Sequence, residues 1–144
     1  MDERQVALLS KSWALVEPRG PEIARRFYDR LFHLDPGIED LFVLAEMDSQ
    51  GEKFMAMLGE ILRMVQDPER FEATLVQSGR RHGGYGVVSR HYQTVGEALL
   101  WAMESALPDG FDTDTRRAWA EAYTRMSFLM QKGAGQDATH PGEA

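Results

Sequence analysis

RRHGGYGVVSRHYQTVGEALL, residues 80–100, is the stretch of the chain with the most informative pattern. It places His82 at the end of a predicted helix, because Gly83–Gly84 follows at once and glycine readily takes the positive φ that ends helices. An imidazole at this place has two interpretations. It is either a metal ligand or a helix-ending cation that interacts favourably with the helix dipole.

The residues one helical turn before His82 are compatible with a metal ligand, although without the wider sequence context a helix-ending cation is the expected role of this histidine. Ser78 and Gly79 are small and would leave room for a broad, flat group against the helix. The Ser78 carbonyl is also placed to accept a hydrogen bond from the ring nitrogen that does not bind metal. Such a bond fixes the tautomer of the imidazole and raises its basicity as a ligand.

Helical periodicity extends from this stretch in both directions. Apolar residues recur every three and four positions between Gly- and Pro-containing breaks, without the alternation of a strand. We therefore expect an all-α domain over residues 1–132 and a disordered tail over 133–144, where apolar periodicity is lost. The predicted helices are one on Val6, Leu9, Trp13 and Val16, one from about Pro21, one from a cap at Asp48 or Ser49, and three over about 69–81, 89–107 and 113–131.

The composition limits the classes of function. A chain of 144 residues fits one domain, and a net charge of −7 argues against nucleic acid, because phosphate binding needs a clustered basic surface. With no cysteine, any metal site must use His, Asp, Glu, Met or Tyr. The longest apolar run, Ala98–Met103, is too short for a membrane span, and the start, MDERQVALLS, is unlike a secretory signal. We expect a cytoplasmic protein with no membrane partner.

The order of motifs along the chain resembles one family. Residues 80–100 are similar to the proximal haem region of bacterial single-domain globins and of the haem domains of flavohaemoglobins. The matching positions are His82, Gly86–Val87, His91–Tyr92, Val95–Gly96 and Leu99–Leu100 in this stretch, with Ser10–Trp13, Phe27–Phe32, Asp40–Phe42 and Arg117–Tyr123 outside it.

The resemblance implies a globin fold with about six main helices around one haem and with His82 as the iron ligand on the proximal side. The implied cofactor is haem b, iron protoporphyrin IX, and the implied ligands are oxygen, carbon monoxide and nitric oxide. Composition and periodicity by themselves support only an amphipathic helical domain with one candidate ligand.

Four residues match the distal side of the haem in this family. Tyr28 and Gln50 match positions that face the gas, and Phe54 matches the residue that packs against it. Phe42 matches the phenylalanine that stacks on the porphyrin. An oxygen ligand carries partial negative charge, so hydroxyl and amide donors in a low-dielectric pocket would stabilise it. Relatives more often have leucine where Phe54 stands, which predicts a tighter and drier pocket. Without the resemblance, Tyr28 would be a packing residue and Gln50 a polar residue of a first helical turn.

The rim and the proximal side supply further candidates. Lys53 and Arg81 could reach the haem propionates, since charge-assisted bonds to carboxylates are favourable there, and solvated surface cations are the alternative. The residues expected to line the proximal side are Val87, Tyr92, Val95 and Leu99. Three histidines have no support as iron ligands: His33, His91 and His140.

One position departs from the flavohaemoglobin pattern. In those proteins a Tyr and a Glu beside the proximal histidine increase its electron donation to the iron. Tyr92 matches the tyrosine, but the glutamate position, eleven residues after the match at Tyr123, is Ala134. The departure argues against chemistry that depends on strong electron donation.

Three functions remain open from the sequence. The leading one is reversible oxygen binding for storage, delivery or scavenging. The second is nitric oxide dioxygenase activity served by a separate reductase, since we expect no flavin or nicotinamide domain in this chain. The third is a haemless globin-like interaction module. We expect a monomer or a weak homodimer.

Overall fold

The computed structural model describes residues 2–84 and 87–138. These residues form α-helices and two short 3₁₀ helices without any strand, so the predicted all-α class is confirmed. The α-helices are α1 Glu3–Val16, α2 Gly20–Leu34, α3 Met47–Arg63, α4 Pro68–Gly84, α5 Ser89–Ala106 and α6 Thr113–Ala138, and the 3₁₀ helices are Glu17–Arg19 and Pro36–Phe42.

Local sequence explains most helix starts. Asp2 and Gln5 form a reciprocal capping box at the start of α1, and Pro21 stands in the first turn of α2, as predicted. The start of α3 differs from the expectation of a cap at Asp48 or Ser49. Glu46 is the cap, because its carboxylate accepts hydrogen bonds from the backbone N–H groups of Asp48 and Ser49 at 3.3 and 2.7 Å.

The core is a single apolar cluster to which every α-helix contributes. Trp119 of α6 is 2% exposed, and its indole N–H donates to the Ser12 hydroxyl of α1 at 2.8 Å. This bond satisfies two buried polar groups, and it anchors α6 against α1. The largest fully buried side chains are Trp119, Phe27, Leu9, Ile23, Leu31, Leu75, Met103, Leu129 and Val16.

The crossing of α4 and α6 depends on one glycine in each helix. A Cβ at Gly79 would lie 1.8 Å from the Met130 carbonyl oxygen, and a Cβ at Gly133 would lie 1.9 Å from the Val76 carbonyl oxygen. Gly79 therefore faces α6, and the prediction that it leaves room for a flat ligand is wrong. Its small size allows two helix backbones to touch.

The predicted boundary at residue 132 is also wrong, because α6 continues through residues 133–138. The sequence there contains two glycines, which favour an interpretation as the start of a disordered tail. Gly133 instead lies buried in the contact with α4, where packing outweighs its low helix propensity. The remainder of the predicted tail, residues 139–144, lies outside the described residues.

Across the described ranges 2–84 and 87–138, no helix combines the length and the apolar character needed to cross a membrane.

Candidate functional site

His82 lies in the last turn of α4, half-buried, with its ring oriented by the helix itself. Its Nδ1 donates to the Ser78 carbonyl oxygen at 2.7 Å, and the Ser78 hydroxyl lies 3.4 Å from the same nitrogen. The predicted bond to the Ser78 carbonyl is thus present. Because Nδ1 carries the proton, Nε2 is the nitrogen with a lone pair for a metal.

The residues predicted to line the proximal side lie at the α4–α5 junction and along α5. Val87 donates its backbone N–H to the His82 carbonyl at 3.2 Å, which ties this junction to the last turn of α4. Val87 and Val95 are half-buried, and Leu99 is buried. Gly86, part of the matching motif, lies outside the described residues.

Tyr28 of α2 and Gln50 of α3, the two donors predicted for the distal side, meet. The Gln50 amide Nε2 donates to the Tyr28 hydroxyl at 3.3 Å. Because this hydroxyl accepts from Gln50, its own hydrogen is available to another acceptor. Burial raises the pKa of Tyr28, and the hydrogen bond from Gln50 opposes that rise only in part. The hydroxyl is therefore a neutral donor at physiological pH.

Aromatic rings surround this pair. Phe54 stacks on Phe27 with ring centroids 4.4 Å apart and planes 2° from parallel. Tyr28 presents an edge to Phe54 at 6.0 Å and to Phe42 at 5.4 Å. The four predicted distal residues are thus brought together, and the two polar side chains among them lie in apolar surroundings, where a hydrogen bond is electrostatically stronger than in water.

The sequence did not single out Phe27 as a site residue. The signal was available, since Ala24 and Gly51 are small residues one turn before Phe27 and Phe54. A Cβ at Gly51 would lie 3.0 Å from the Ala24 Cβ, so α2 and α3 approach closely just where the two rings stack. A contact between two helices cannot be inferred from the apolar periodicity within either one.

Lys53 and Arg81 are both exposed, Lys53 on α3 and Arg81 in the last turn of α4. Their exposure suits a pocket rim, and contact with a propionate stays a prediction. Of the other histidines, His33 is exposed, whereas His91 is buried and accepts at Nδ1 from the Val88 backbone N–H at 3.0 Å. His91 thus caps α5, which the sequence analysis missed. His140 lies outside the described residues.

The surroundings of the proximal tyrosine, Tyr92, differ from the flavohaemoglobin pattern. The Tyr92 hydroxyl is buried, and no group in the described ranges lies within hydrogen-bonding distance of it. Burial raises the pKa of Tyr92. Ala134 lies against Gly83, beside His82, as a Cβ at Gly83 would be 3.3 Å from the Ala134 Cβ. A methyl group thus stands close to the ligand where those proteins have a carboxylate.

These features fit a haem better than a bare metal ion. Within residues 2–84 and 87–138 no three His, Asp or Glu side chains come together as a metal site. A single imidazole suits a cofactor that itself supplies the other donors to its metal. The helices that carry Gln50 and His82, α3 and α4, make little backbone contact with each other in the described ranges. A porphyrin held by His82 Nε2 fits this donor set.

The comparisons with known proteins identify the family. The globin family model matches residues 25–130, and the chain belongs to the globin family. Globins are the class of proteins in which a proximal histidine holds a haem iron. The resemblance drawn from the motifs is confirmed.

Three curated relatives show how widely this similarity extends. A flavohemoprotein of Xylella fastidiosa is 31% identical over 129 residues, which cover 88% of this chain and 32% of the relative. This chain therefore spans about a third of that protein. An anaerobic nitrite reductase of Gossypium hirsutum is 28% identical, covering 86% of this chain and 85% of the relative. Neuroglobin of Danio rerio is 25% identical, covering 97% and 96%.

A solved structure shows the same fold at low sequence identity. The hexacoordinated heme protein of an anhydrobiotic tardigrade, crystallised at pH 4, matches with a TM-score of 0.84 and 15% identity. The match covers 94% of this chain and 96% of that one. The globin fold predicted from the motifs is confirmed.

Proposed function

We propose that the protein binds haem b through His82 and takes oxygen or another diatomic gas reversibly on the side of Tyr28 and Gln50. When bound, the haem supplies a ferrous iron that holds the gas. The observation that carries the proposal is the hydrogen bond from Gln50 to Tyr28 within the aromatic pocket. It orients the hydroxyl while leaving its hydrogen free to be donated.

Each side of the pocket has a defined task. Ser78 holds the imidazole of His82 in the tautomer that presents Nε2 to a metal. Tyr28 donates to the partial negative charge on an oxygen ligand, and Phe42 and Phe54 exclude water from that bond. Lys53 and Arg81 pair with the propionates at the rim, which supports retention of the cofactor.

The first test is the visible spectrum of the purified protein in its ferric, ferrous and carbonmonoxy forms. We expect a Soret band and a mainly five-coordinate, high-spin ferrous form, because Gln50 rather than histidine occupies the distal position. A ferrous spectrum with two histidine ligands would contradict this assignment of the distal side.

Substitution tests the proximal ligand. His82→Ala should lose stable haem binding or leave a site that added imidazole restores, since the variant lacks the proposed ligand. His33→Ala is the matched control, because His33 is exposed, and its spectrum should equal that of the parent. A wild-type ferrous spectrum in His82→Ala would refute the assignment. Absence of any Soret band in the parent would favour the haemless interaction module.

A nitric oxide dioxygenase served by a separate reductase is the second candidate, because Tyr28 and Gln50 would orient oxygen for that reaction as well. The proximal side favours simple gas binding. Ala134 has no carboxylate. The Tyr92 hydroxyl has no hydrogen-bond partner in the described ranges, so neither residue increases electron donation from His82. Sustained turnover of nitric oxide with an added reductase separates the two functions.

We also propose a cytoplasmic location, in keeping with a cysteine-free chain.

A further inference from the structure

His91, a histidine that the proposed function does not use, lies in the first turn of α5 and is 7% exposed. Its Nδ1 accepts a hydrogen bond from the Val88 backbone N–H at 3.0 Å, and its own backbone N–H donates to the Val88 carbonyl at 2.9 Å. The side-chain bond is of the kind that a glutamate or glutamine makes at the third position of a helix, where it accepts from the N–H of the capping residue. Because Nδ1 accepts, the imidazole is neutral and carries its proton on Nε2.

The residue before Val88 is tied to the end of α4. The Val87 backbone N–H donates to the His82 carbonyl at 3.2 Å. Two consecutive amides are therefore held by two different helices: that of Val87 by the proposed iron ligand, and that of Val88 by the ring of His91. These two hydrogen bonds connect the start of α5 to the turn of α4 that carries the ligand.

The segment between His82 and Val87 depends on such contacts for its course. Three of its four residues are glycine, at positions 83, 84 and 86. Glycine has more backbone freedom than any other residue, so the direction in which this segment leaves α4 is set by contacts outside it. The buried ring of His91 is short and planar, and it holds the Val88 amide at a defined place relative to α5.

The start of α5 is itself anchored, so His91 acts from a fixed frame. The Tyr123 hydroxyl of α6 donates to the Tyr92 carbonyl, in the same turn as His91. A Cβ at Gly96 would lie 2.6 Å from the Tyr123 ring. Because Gly96 has no side chain, this ring lies directly against the backbone of α5. A continuous series of contacts thus leads from α6 through α5 to the junction with α4.

We propose that His91 is a positioning residue for the proximal ligand, His82. Its hydrogen bond to the Val88 N–H fixes the junction, and the neighbouring Val87 N–H transmits that position to the His82 carbonyl. The inference rests on the proposed function, because it takes His82 as the iron ligand. Ser78 fixes the tautomer of this ligand from within α4, whereas His91 fixes the end of the turn that carries it. Without the His91 acceptor, the last turn of α4 is free to shift.

Resonance Raman spectroscopy of the ferrous, gas-free protein tests this role through the iron–histidine stretching band, which reports the orientation of the proximal ligand. His91→Leu removes the acceptor and keeps the buried site filled, so the band should shift or broaden. The rate of haem transfer to excess apomyoglobin should rise by up to about tenfold, as expected for the loss of one hydrogen bond. His91→Gln should restore both properties, because a glutamine amide oxygen accepts from the same N–H.

Asp112→Ala is the matched control for the loss of a helix cap. The Asp112 carboxylate accepts from the Thr115 backbone N–H at 2.7 Å, so it caps the start of α6. That cap lies at the opposite end of α6 from Ala134, which supports the turn of His82. The variant should lose stability in urea, as His91→Leu does. Its stretching band and its rate of haem transfer should equal those of the parent.

Hydrogen exchange at the Val88 amide in the carbonmonoxy form tests the hydrogen bond without any substitution. The amide should be protected in the parent and in His91→Gln. An unprotected amide in the parent would overturn the inference, as would a folded His91→Leu with the parental stretching band and haem transfer rate. In either case a normal Soret band leaves the proposed function intact. A parent without a Soret band would overturn both.

Discussion

In the proposed function, the Tyr28 hydroxyl is the polar atom on which the gas selectivity of the distal side depends. It is buried among Phe27, Phe42 and Phe54, and it accepts a hydrogen bond from Gln50. An isolated polar group in such surroundings would be costly. Since the Tyr28 hydroxyl oxygen accepts from Gln50, its hydrogen remains available for donation to a bound gas.

Removal of this donor should accelerate oxygen release. A hydrogen bond to a partly anionic ligand contributes roughly 1.5–3 kcal/mol, so Tyr28→Phe should speed oxygen dissociation by roughly 10- to 150-fold. Carbon monoxide carries little negative charge, and its dissociation should change much less. Stopped-flow displacement of oxygen by carbon monoxide measures the first rate, and displacement of carbon monoxide by nitric oxide measures the second.

The difference between the two gases distinguishes donation from a general loosening of the pocket. Gln50→Leu should act in the same direction but more weakly, and the double variant need not be additive because the two side chains are in contact. Oxygen release within twofold of the parent in Tyr28→Phe would show that Tyr28 serves only in packing.

At the level of helices, the contact of α4 with α6 positions His82. Gly79 and Gly133 let these two backbones touch, and Ala134 of α6 lies against Gly83, the residue after His82. The last turns of α6 therefore support the turn of α4 that carries the proposed ligand. Gly133 and Ala134 therefore pack against α4, and α6 continues as a helix to Ala138.

Two neighbouring glycines of α6 provide a matched test. Gly133→Ala should force α6 away from Val76, and overpacking of this kind costs about 1–3 kcal/mol. Gly135→Ala should be neutral or stabilise by up to about 1 kcal/mol, because nothing in the described ranges lies within 4 Å of a Cβ there. Urea unfolding measures both free energies, and the Soret band reports whether haem is retained. Equal stability of the two variants would contradict the close crossing of α4 and α6.

For the molecule as a whole, three buried or partly buried tyrosines predict a limit to stability at alkaline pH. Burial raises the pKa of Tyr28, Tyr92 and Tyr123 above the ordinary value of 10.0. Above pH 10 the unfolded chain has lost these protons while the native protein still holds them. The unfolded state then binds fewer protons, so the free energy of unfolding falls as pH rises past about 10. Below that pH these groups contribute no pH dependence.

Tyr92→Phe tests this prediction with the least damage to the fold. Its hydroxyl has no hydrogen-bond partner in the described ranges, so its removal at pH 8 should change stability by no more than about 1 kcal/mol. The variant should lose less stability than the parent between pH 8 and pH 11. Trp101→Phe is the control, because a partly exposed indole does not titrate and its stability difference should be equal at both pH values. A Tyr92→Phe curve parallel to the parent would contradict the raised pKa of Tyr92.

Local patterns in the sequence were enough to predict the helices and the candidate ligands. Apolar spacing predicted six helices, and the motifs around His82 predicted the fold, which is confirmed, and candidate residues for both sides of a haem. These features are local: a helix follows from periodicity within one segment, and the hydrogen bond from His82 to Ser78 spans a single turn. Helix ends were less accurate, because the cap at Glu46 and the extension past residue 132 depend on particular contacts.

Which residues of different helices meet became clear from the folded structure alone. The stack of Phe27 on Phe54, the position of Gly79 against α6 and the close approach of the Tyr123 ring to Gly96 all join residues of different helices. Glycine in particular predicts different things from the local sequence and from the helix packing. Within a segment its low propensity predicts an end, whereas at a helix crossing its missing Cβ permits backbone contact, and only the partner helix determines which effect prevails.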